Sequence, residues 1–158
     1  MSKNPVDQEP TLSFSEAFEA ENRAPNPALD VEPTLAQAAV NSFKLALYSK
    51  GHQMGWLGQN SGEWAILVAD EKQALILEYY PYNGVTYYRK KGTGRYMSVS
   101  DQAYIGFYAW LGATGFTMKG EHLVSDYKGQ QLSFYSIENA YLYAWDKYTV
   151  LEVKVVDQ

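Results

Sequence analysis

The chain has 158 residues, a formal net charge of −5 and no cysteine. This length suits one domain with a sizeable core, and the lack of cysteine excludes disulfides, thiolate metal sites and cysteine nucleophiles. The N-terminus lacks the apolar segment of a secretory signal, and no run of about 18 apolar residues occurs. We therefore expect no membrane-spanning segment, and either a cytoplasmic location or export without a conventional signal peptide.

The acidic charge is confined to the first part of the chain. Residues 1–42 carry two basic and seven acidic side chains, which accounts for the whole net charge, whereas residues 43–158 carry eleven of each. A neutral body lacks the basic face that nucleic-acid binding requires. The sequence therefore predicts no nucleic-acid partner and two parts: an acidic, Pro-containing N-terminal segment (1–42) and a folded domain (43–158).

The N-terminal segment, which we expect to be largely irregular, contains a short repeat. Residues 9–12 (Glu-Pro-Thr-Leu) recur at 32–35, and each copy precedes a stretch that ends in Phe, residues 13–18 and 36–43. Proline in a first turn followed by good helix formers favours two short helices. The repeat is either chance in a biased segment or a pair of docking peptides, for a partner or for the body itself.

From Phe43 onward the apolar residues alternate with period two, which predicts strands. Turn residues separate most of them, and Asn83-Gly84 indicates a type I′ hairpin turn, because both of its central residues need positive φ. The twelve predicted strands are residues 43–49, 54–58, 63–69, 73–80, 85–91, 95–100, 103–110, 114–119, 121–126, 130–136, 140–145 and 148–156. The sequence thus predicts an all-β class.

The strand region also repeats. Lys50-Gly51, Lys91-Gly92 and Lys128-Gly129 lie 41 and 37 residues apart, and Tyr-Ala-Trp occurs at residues 108–110 and 143–145. Three units of four strands each resemble the β-trefoil, in which six strands form a short barrel and six form a hairpin cap. Repeated units of this kind need one another to bury their apolar faces. An up-and-down barrel or a sandwich is the competing architecture.

The segment Gly92-Thr93-Gly94-Arg95-Tyr96-Met97-Ser98 is similar to the opening of each unit in fascin-like trefoils. That resemblance covers residues 43–158 and implies a binding module. The Gln-x-Trp motif of ricin-like trefoil lectins is absent, so the galactose-binding residues of that family do not carry over.

The sequence offers no catalytic constellation. His52 and His122 lie in different units, and neither a G-x-S-x-G elbow nor a phosphate-binding glycine loop occurs. We therefore expect no enzyme, no metal and no cofactor. A Val-x-Asp pattern ends predicted strands at Asp70, Asp101 and Asp126, where Asp either supports a turn or accepts a sugar hydroxyl.

Tyrosines crowd the hairpin around Asn83-Gly84. Adjacent residues of a strand point to opposite faces, so neighbouring tyrosines cannot all enter the core, and we expect some rings to be exposed or half-exposed. An exposed ring beside a cation suits a sugar or a protein partner, and rim packing is the alternative. The predicted ligand-binding residues are Tyr79, Tyr80, Tyr82, Asn83, Tyr87, Tyr88 and Arg89.

These observations predict a lectin-like module that recognises glycans through exposed, Tyr-rich loops. The alternative is a protein-interaction or scaffolding trefoil whose N-terminal segment docks a partner.

Overall fold

The computed structural model describes residues 12–21, 29 and 41–158. One short helix, α1 (Phe14–Ala20), precedes thirteen strands that belong to one sheet. The strands are β1 (Ser42–Ser49), β2 (His52–Gln59), β3 (Ala65–Val68), β4 (Leu77–Tyr82), β5 (Val85–Lys90), β6 (Tyr96–Val99), β7 (Ile105–Tyr108), β8 (Phe116–Lys119), β9 (His122–Ser125), β10 (Leu132–Ser136), β11 (Asn139–Ala144), β12 (Thr149–Val150) and β13 (Glu152–Asp157). The predicted all-β class is confirmed.

The predicted helices have different outcomes. The first is confirmed by α1, which begins one residue after Ser13. Most of the second lies outside the described residues, and its last two residues, Ser42 and Phe43, begin β1 instead. The twelfth predicted strand is interrupted at Leu151, which separates β12 from β13. Among the described residues, no helix has the length and apolar character needed to cross a bilayer.

The same pairing recurs three times along the sheet. Strand β2 pairs with β1 and β3, β6 with β5 and β7, and β10 with β11 and, through the bridge Val124↔Gln131, with β9. The three resulting hairpins meet one another through Trp64↔Gly106, Tyr104↔Tyr143 and Tyr141↔Ile66. The sequence repeat therefore corresponds to a repeat in strand pairing.

The sheet is not the closed barrel that the trefoil resemblance implies. Strand β1 pairs with β4 and β13, β4 with β5, and β9 with β8 and β13. Between β5 and β8, among the described residues, contact is made by side chains rather than by a hydrogen-bonded ladder: the rings of Tyr88 and Phe116 lie 5.9 Å apart. Val85 of β5 packs directly against Gly115, the residue before β8, because a Cβ on Gly115 would overlap the Val85 side chain.

The main core lies between the strands, and its members among the described residues come from positions 43–158. Two smaller clusters flank it. One joins α1 to the hairpins through Phe14, Phe18, Trp64, Tyr104 and Tyr143. The other lies outside β4 and β5 and is described below.

Candidate functional site

The Tyr-rich hairpin forms as predicted at its turn. Asn83 and Gly84 have φ values of 51° and 78°, and Tyr82 pairs with Val85. Along β4 and β5 the side chains alternate between two faces. Tyr79 and Tyr88 pack with Phe43 at the main core, and the Phe43 and Tyr79 rings stack 4.2 Å apart. Tyr80, Tyr82, Tyr87 and Arg89 lie on the opposite, outer face.

The half-buried rings of Tyr79 and Tyr82 agree with the expectation that some rings are exposed or half-exposed, whereas the other three rings of the predicted set are buried. Tyr80, Tyr87 and Tyr88 are 3%, 5% and 2% exposed, and Arg89 is 1% exposed. Of the other predicted ligand-binding residues, Tyr79 and Tyr82 are half-buried and Asn83 is exposed. The outward-facing tyrosines are buried because another side chain covers them, which the alternation of side chains along a strand does not predict. Trp110 lies across the outer face, with its ring 5.6 Å from Tyr80, 5.4 Å from Tyr82 and 4.9 Å from Tyr87.

A different site emerges where α1 meets the hairpins. Ser13 is the N-cap of the helix: its hydroxyl accepts from the Glu16 amide at 3.1 Å, and the Ser13 amide donates to the Glu16 carboxylate at 3.0 Å. This capping box satisfies amides that have no partner within the helix. The same bonds lower the pKa of Glu16. Phe14 and Phe18, one helical turn apart, therefore share one face.

The helix lies in a groove formed by Trp64, Gly106 and Tyr108, which we call the helix groove. Phe14 meets the Trp64 ring edge-on at 5.3 Å, and Phe18 stacks on Tyr108 at 4.6 Å. Phe14 is fully buried and Phe18 is 6% exposed. A Cβ on Gly106 would overlap the Phe14 ring, so only glycine leaves this space open. Isolated glycine in a strand often marks such a close approach.

Hydrogen bonds hold both ends of the helix on the body. The Phe14 amide donates to the Gly62 carbonyl at 2.8 Å, and the Trp64 indole donates to the Leu12 carbonyl at 2.9 Å. At the other end, the Asp101 amide donates to the Glu21 carboxylate at 2.9 Å. These three hydrogen bonds, which involve six described residues, thus fix the position of α1 along the groove as well as its face.

A network of charged side chains lies beside the helix groove and connects it to α1. The Glu63 carboxylate accepts from Lys90 at 2.8 Å and from Arg95 at 3.1 and 3.2 Å, and Arg95 also donates to the Ser15 hydroxyl at 2.5 Å. Burial raises the pKa of Glu63, but the hydrogen bonds and charges of Lys90 and Arg95 outweigh burial, so its pKa is lowered overall. Glu63 is therefore ionised at neutral pH and orients Arg95 towards the helix.

A shallow depression of about 360 Å³ lies elsewhere, along β8 and β9. Its polar lining includes the Thr117 hydroxyl, the Lys119 ammonium group and the exposed carboxylate of Asp126. Of the other two predicted Asp residues, Asp70 accepts from the Lys72 amide at 3.0 Å, as a turn-forming residue does. No three of the described His, Asp and Glu side chains come together as metal ligands would.

Comparisons of the chain with protein-family models, with curated proteins and with solved structures find no significant match.

The tight seat of Phe14 gives a first testable prediction. Gly106→Ala should push the Phe14 ring out of the helix groove and cost about 1–3 kcal/mol of unfolding free energy, because the core is overpacked. Limited proteolysis at the glutamates of α1 should become faster. Gly129→Ala is the control, since it adds backbone strain at a φ of 66° but meets nothing within 4 Å. Unchanged cleavage in the Gly106→Ala chain would contradict the described seat.

The lowered pKa of Glu63 gives a second prediction. A carboxyl whose pKa is lower in the folded state stabilises the fold above its unfolded pKa, and this contribution is lost as pH falls through the folded pKa. Stability measured by urea unfolding should therefore fall below about pH 5, and Glu63→Gln should flatten that fall. Glu138→Gln, on an exposed turn, should leave the pH profile as it is. An equal profile for Glu63→Gln would count against the network.

Proposed function

We propose that this chain is a non-catalytic protein-interaction module, built on a β-trefoil, whose helix groove takes a short amphipathic helix and is filled here by α1. The trefoil is supported by the three repeated pairings of β1–β3, β5–β7 and β9–β11. The three hairpins that meet in a ring support it further, because one unit cannot bury its own apolar face.

The observation that carries the proposed function is the packing of α1 in the helix groove. Phe14 and Phe18 are buried outside the main core, in a groove whose walls belong to the body. An amphipathic helix that lays two aromatic anchors into a groove is a common mode of peptide recognition. Because the main core is built from residues 43–158, α1 adds to a body that has its own core.

The contacts of α1 describe the chemistry of a partner. A partner helix needs large apolar side chains at positions i and i+4, for the seats of Phe14 and Phe18. It needs a hydroxyl near Arg95 and a free carbonyl before its first turn, for the Trp64 indole. Since α1 is tethered, its effective concentration is on the order of millimolar, and a partner must compete with it.

The test uses the full chain. Phe14→Ala/Phe18→Ala removes both anchors of α1 and should leave the groove open. A fluorescent peptide with the sequence of residues 9–21 should bind this variant at least about tenfold more tightly than the unaltered chain, because the tethered competitor is gone. Fluorescence anisotropy measures the binding.

Two controls make this experiment decisive. A peptide in which both phenylalanines are replaced by alanine should not bind, and adding Gly106→Ala to the double variant should abolish binding of the original peptide. A double variant that is folded by circular dichroism and binds no peptide would show that the groove serves only to cap the fold.

Lectin-like recognition is the second candidate. The polar depression beside Asp126 is a better candidate sugar site than the hairpin, whose outward-facing tyrosines are largely buried. A carboxylate, a hydroxyl and an ammonium group together provide acceptors and donors for sugar hydroxyls. Titration with a panel of monosaccharides, followed by NMR amide shifts, should move Val124 and Ser125, and Asp126→Asn should abolish the response. Loss with Tyr82→Ala instead would place the sugar on the hairpin, and no shift with any sugar would reject this candidate.

A further inference from the structure

The outer face of the β4–β5 hairpin holds a residue from far upstream. Leu29 is fully buried there, in a cluster formed by Tyr80, Tyr87, Tyr96 and Trp110. We call these four aromatic residues the aromatic pocket. Its residues and those of the helix groove belong to separate clusters. The pocket therefore accepts an aliphatic side chain independently of α1.

Buried donors without acceptors accompany this pocket. Arg89 is 1% exposed, and of its guanidinium nitrogens Nη2 donates to Glu78 at 3.1 Å. Within the part of the chain that the structure describes, Nε and Nη1 of Arg89 and Nε1 of Trp110 have no acceptor. Buried polar groups in folded proteins are nearly always hydrogen-bonded, so such groups call for an explanation.

The two side chains that carry these donors lie beside the same ring. The Arg89 guanidinium lies 5.8 Å from the centre of the Tyr80 ring, and the Trp110 ring lies 5.6 Å from it. Arg89 also pairs with Tyr96 between β5 and β6. The side chains with unpartnered donors are thus neighbours of Tyr80, which belongs to the cluster that contains Leu29.

The chemistry of the donors specifies the ligand. A guanidinium and an indole can only donate hydrogen bonds, and the guanidinium is permanently charged. A ligand that satisfies them must bring acceptor oxygens, and a carboxylate gives the strongest hydrogen bonds. The aromatic walls and the buried Leu29 require in addition an aliphatic group of about the size of leucine.

We infer that the aromatic pocket is a second docking site, for an acidic peptide that carries a leucine-sized anchor beside a carboxylate, with Leu29 as its occupant in this structure. Charge supports this assignment, because residues 1–42 carry the entire net charge of −5 and the body is neutral. In the sequence Leu29 precedes Asp30, which is the combination that the pocket chemistry requires. The inference does not depend on the helix groove.

The experiment uses the full chain with Leu29→Ala, which removes the resident anchor. The probe is a fluorescent synthetic peptide with the sequence of residues 26–33, followed by anisotropy at low ionic strength. The peptide should bind, and replacing its leucine by alanine should weaken binding at least about tenfold, the worth of one buried leucine side chain. Replacing its aspartate by asparagine should weaken binding about three- to tenfold, because asparagine exchanges a charge-assisted hydrogen bond for a weaker neutral one.

Two further variants locate the peptide. Trp110→Phe, added to Leu29→Ala, keeps an aromatic wall but removes the indole donor, and should weaken binding about three- to tenfold. Phe14→Ala/Phe18→Ala, added to Leu29→Ala, should leave binding unchanged, so failure of the helix groove and failure of this site are distinguishable. If Leu29→Ala does not fold, Leu29→Val replaces it, and the same order of peptides is expected.

The inference is overturned by either of two results. A folded Leu29→Ala chain that binds no peptide would mean that Leu29 only completes the packing of the hairpin. Equal binding of the aspartate and asparagine peptides, with no effect of Trp110→Phe, would mean that the contact is apolar and that the donors play no part in it.

Discussion

The structure depends on one constraint, which is that the β4–β5 hairpin carries large aromatic side chains on both faces. Neighbouring tyrosines such as Tyr79 and Tyr80 point to opposite sides of a strand, so one enters the main core and the other faces outward. A contiguous exposed apolar face is uncommon on a folded monomer, so an outward aromatic face is usually covered or takes part in binding. Trp110 and Leu29 provide that cover, and a similar requirement at Trp64 and Tyr108 is met by α1.

Polar contacts decide the geometry of these covers, whereas apolar contacts supply most of their stability. At the helix groove, Arg95 reaches Glu63, Ser15 and the Phe107 carbonyl at once, which connects the first two units to α1. A planar guanidinium with several fixed partners restricts the helix to one register. At the aromatic pocket, Glu78 is the one carboxylate partner of Arg89 within residues 12–21, 29 and 41–158, and Arg89 thus keeps donors for a further acceptor.

Much of the fold could be predicted because it depends on residues that are close in sequence. The candidate sites could not be predicted in the same way, because they depend on contacts between residues far apart in the chain. Asn83-Gly84 and α1 follow from residues close in sequence, because positive φ and a capping box are local requirements. The burial of Tyr80 and Tyr87 does not follow from nearby residues, because strand alternation predicts which side a ring faces but not what covers it. Their cover comes from Trp110 and Leu29, more than twenty residues away in the chain. Gly106, alone between two apolar residues of a strand, was the overlooked signal for a close approach.

The two docking sites are coupled because their linings are close in sequence on the body and because both of their occupants lie on the N-terminal segment. On the body, Gly106 and Tyr108 line the helix groove and Trp110, two residues later, lines the aromatic pocket. On the N-terminal segment, Leu29 follows Glu21 by eight residues, which span at most about 28 Å when extended. Docking of either contact therefore raises the local concentration of the other. A partner that takes one site removes this advantage, and the hold of the segment on the other site weakens in turn.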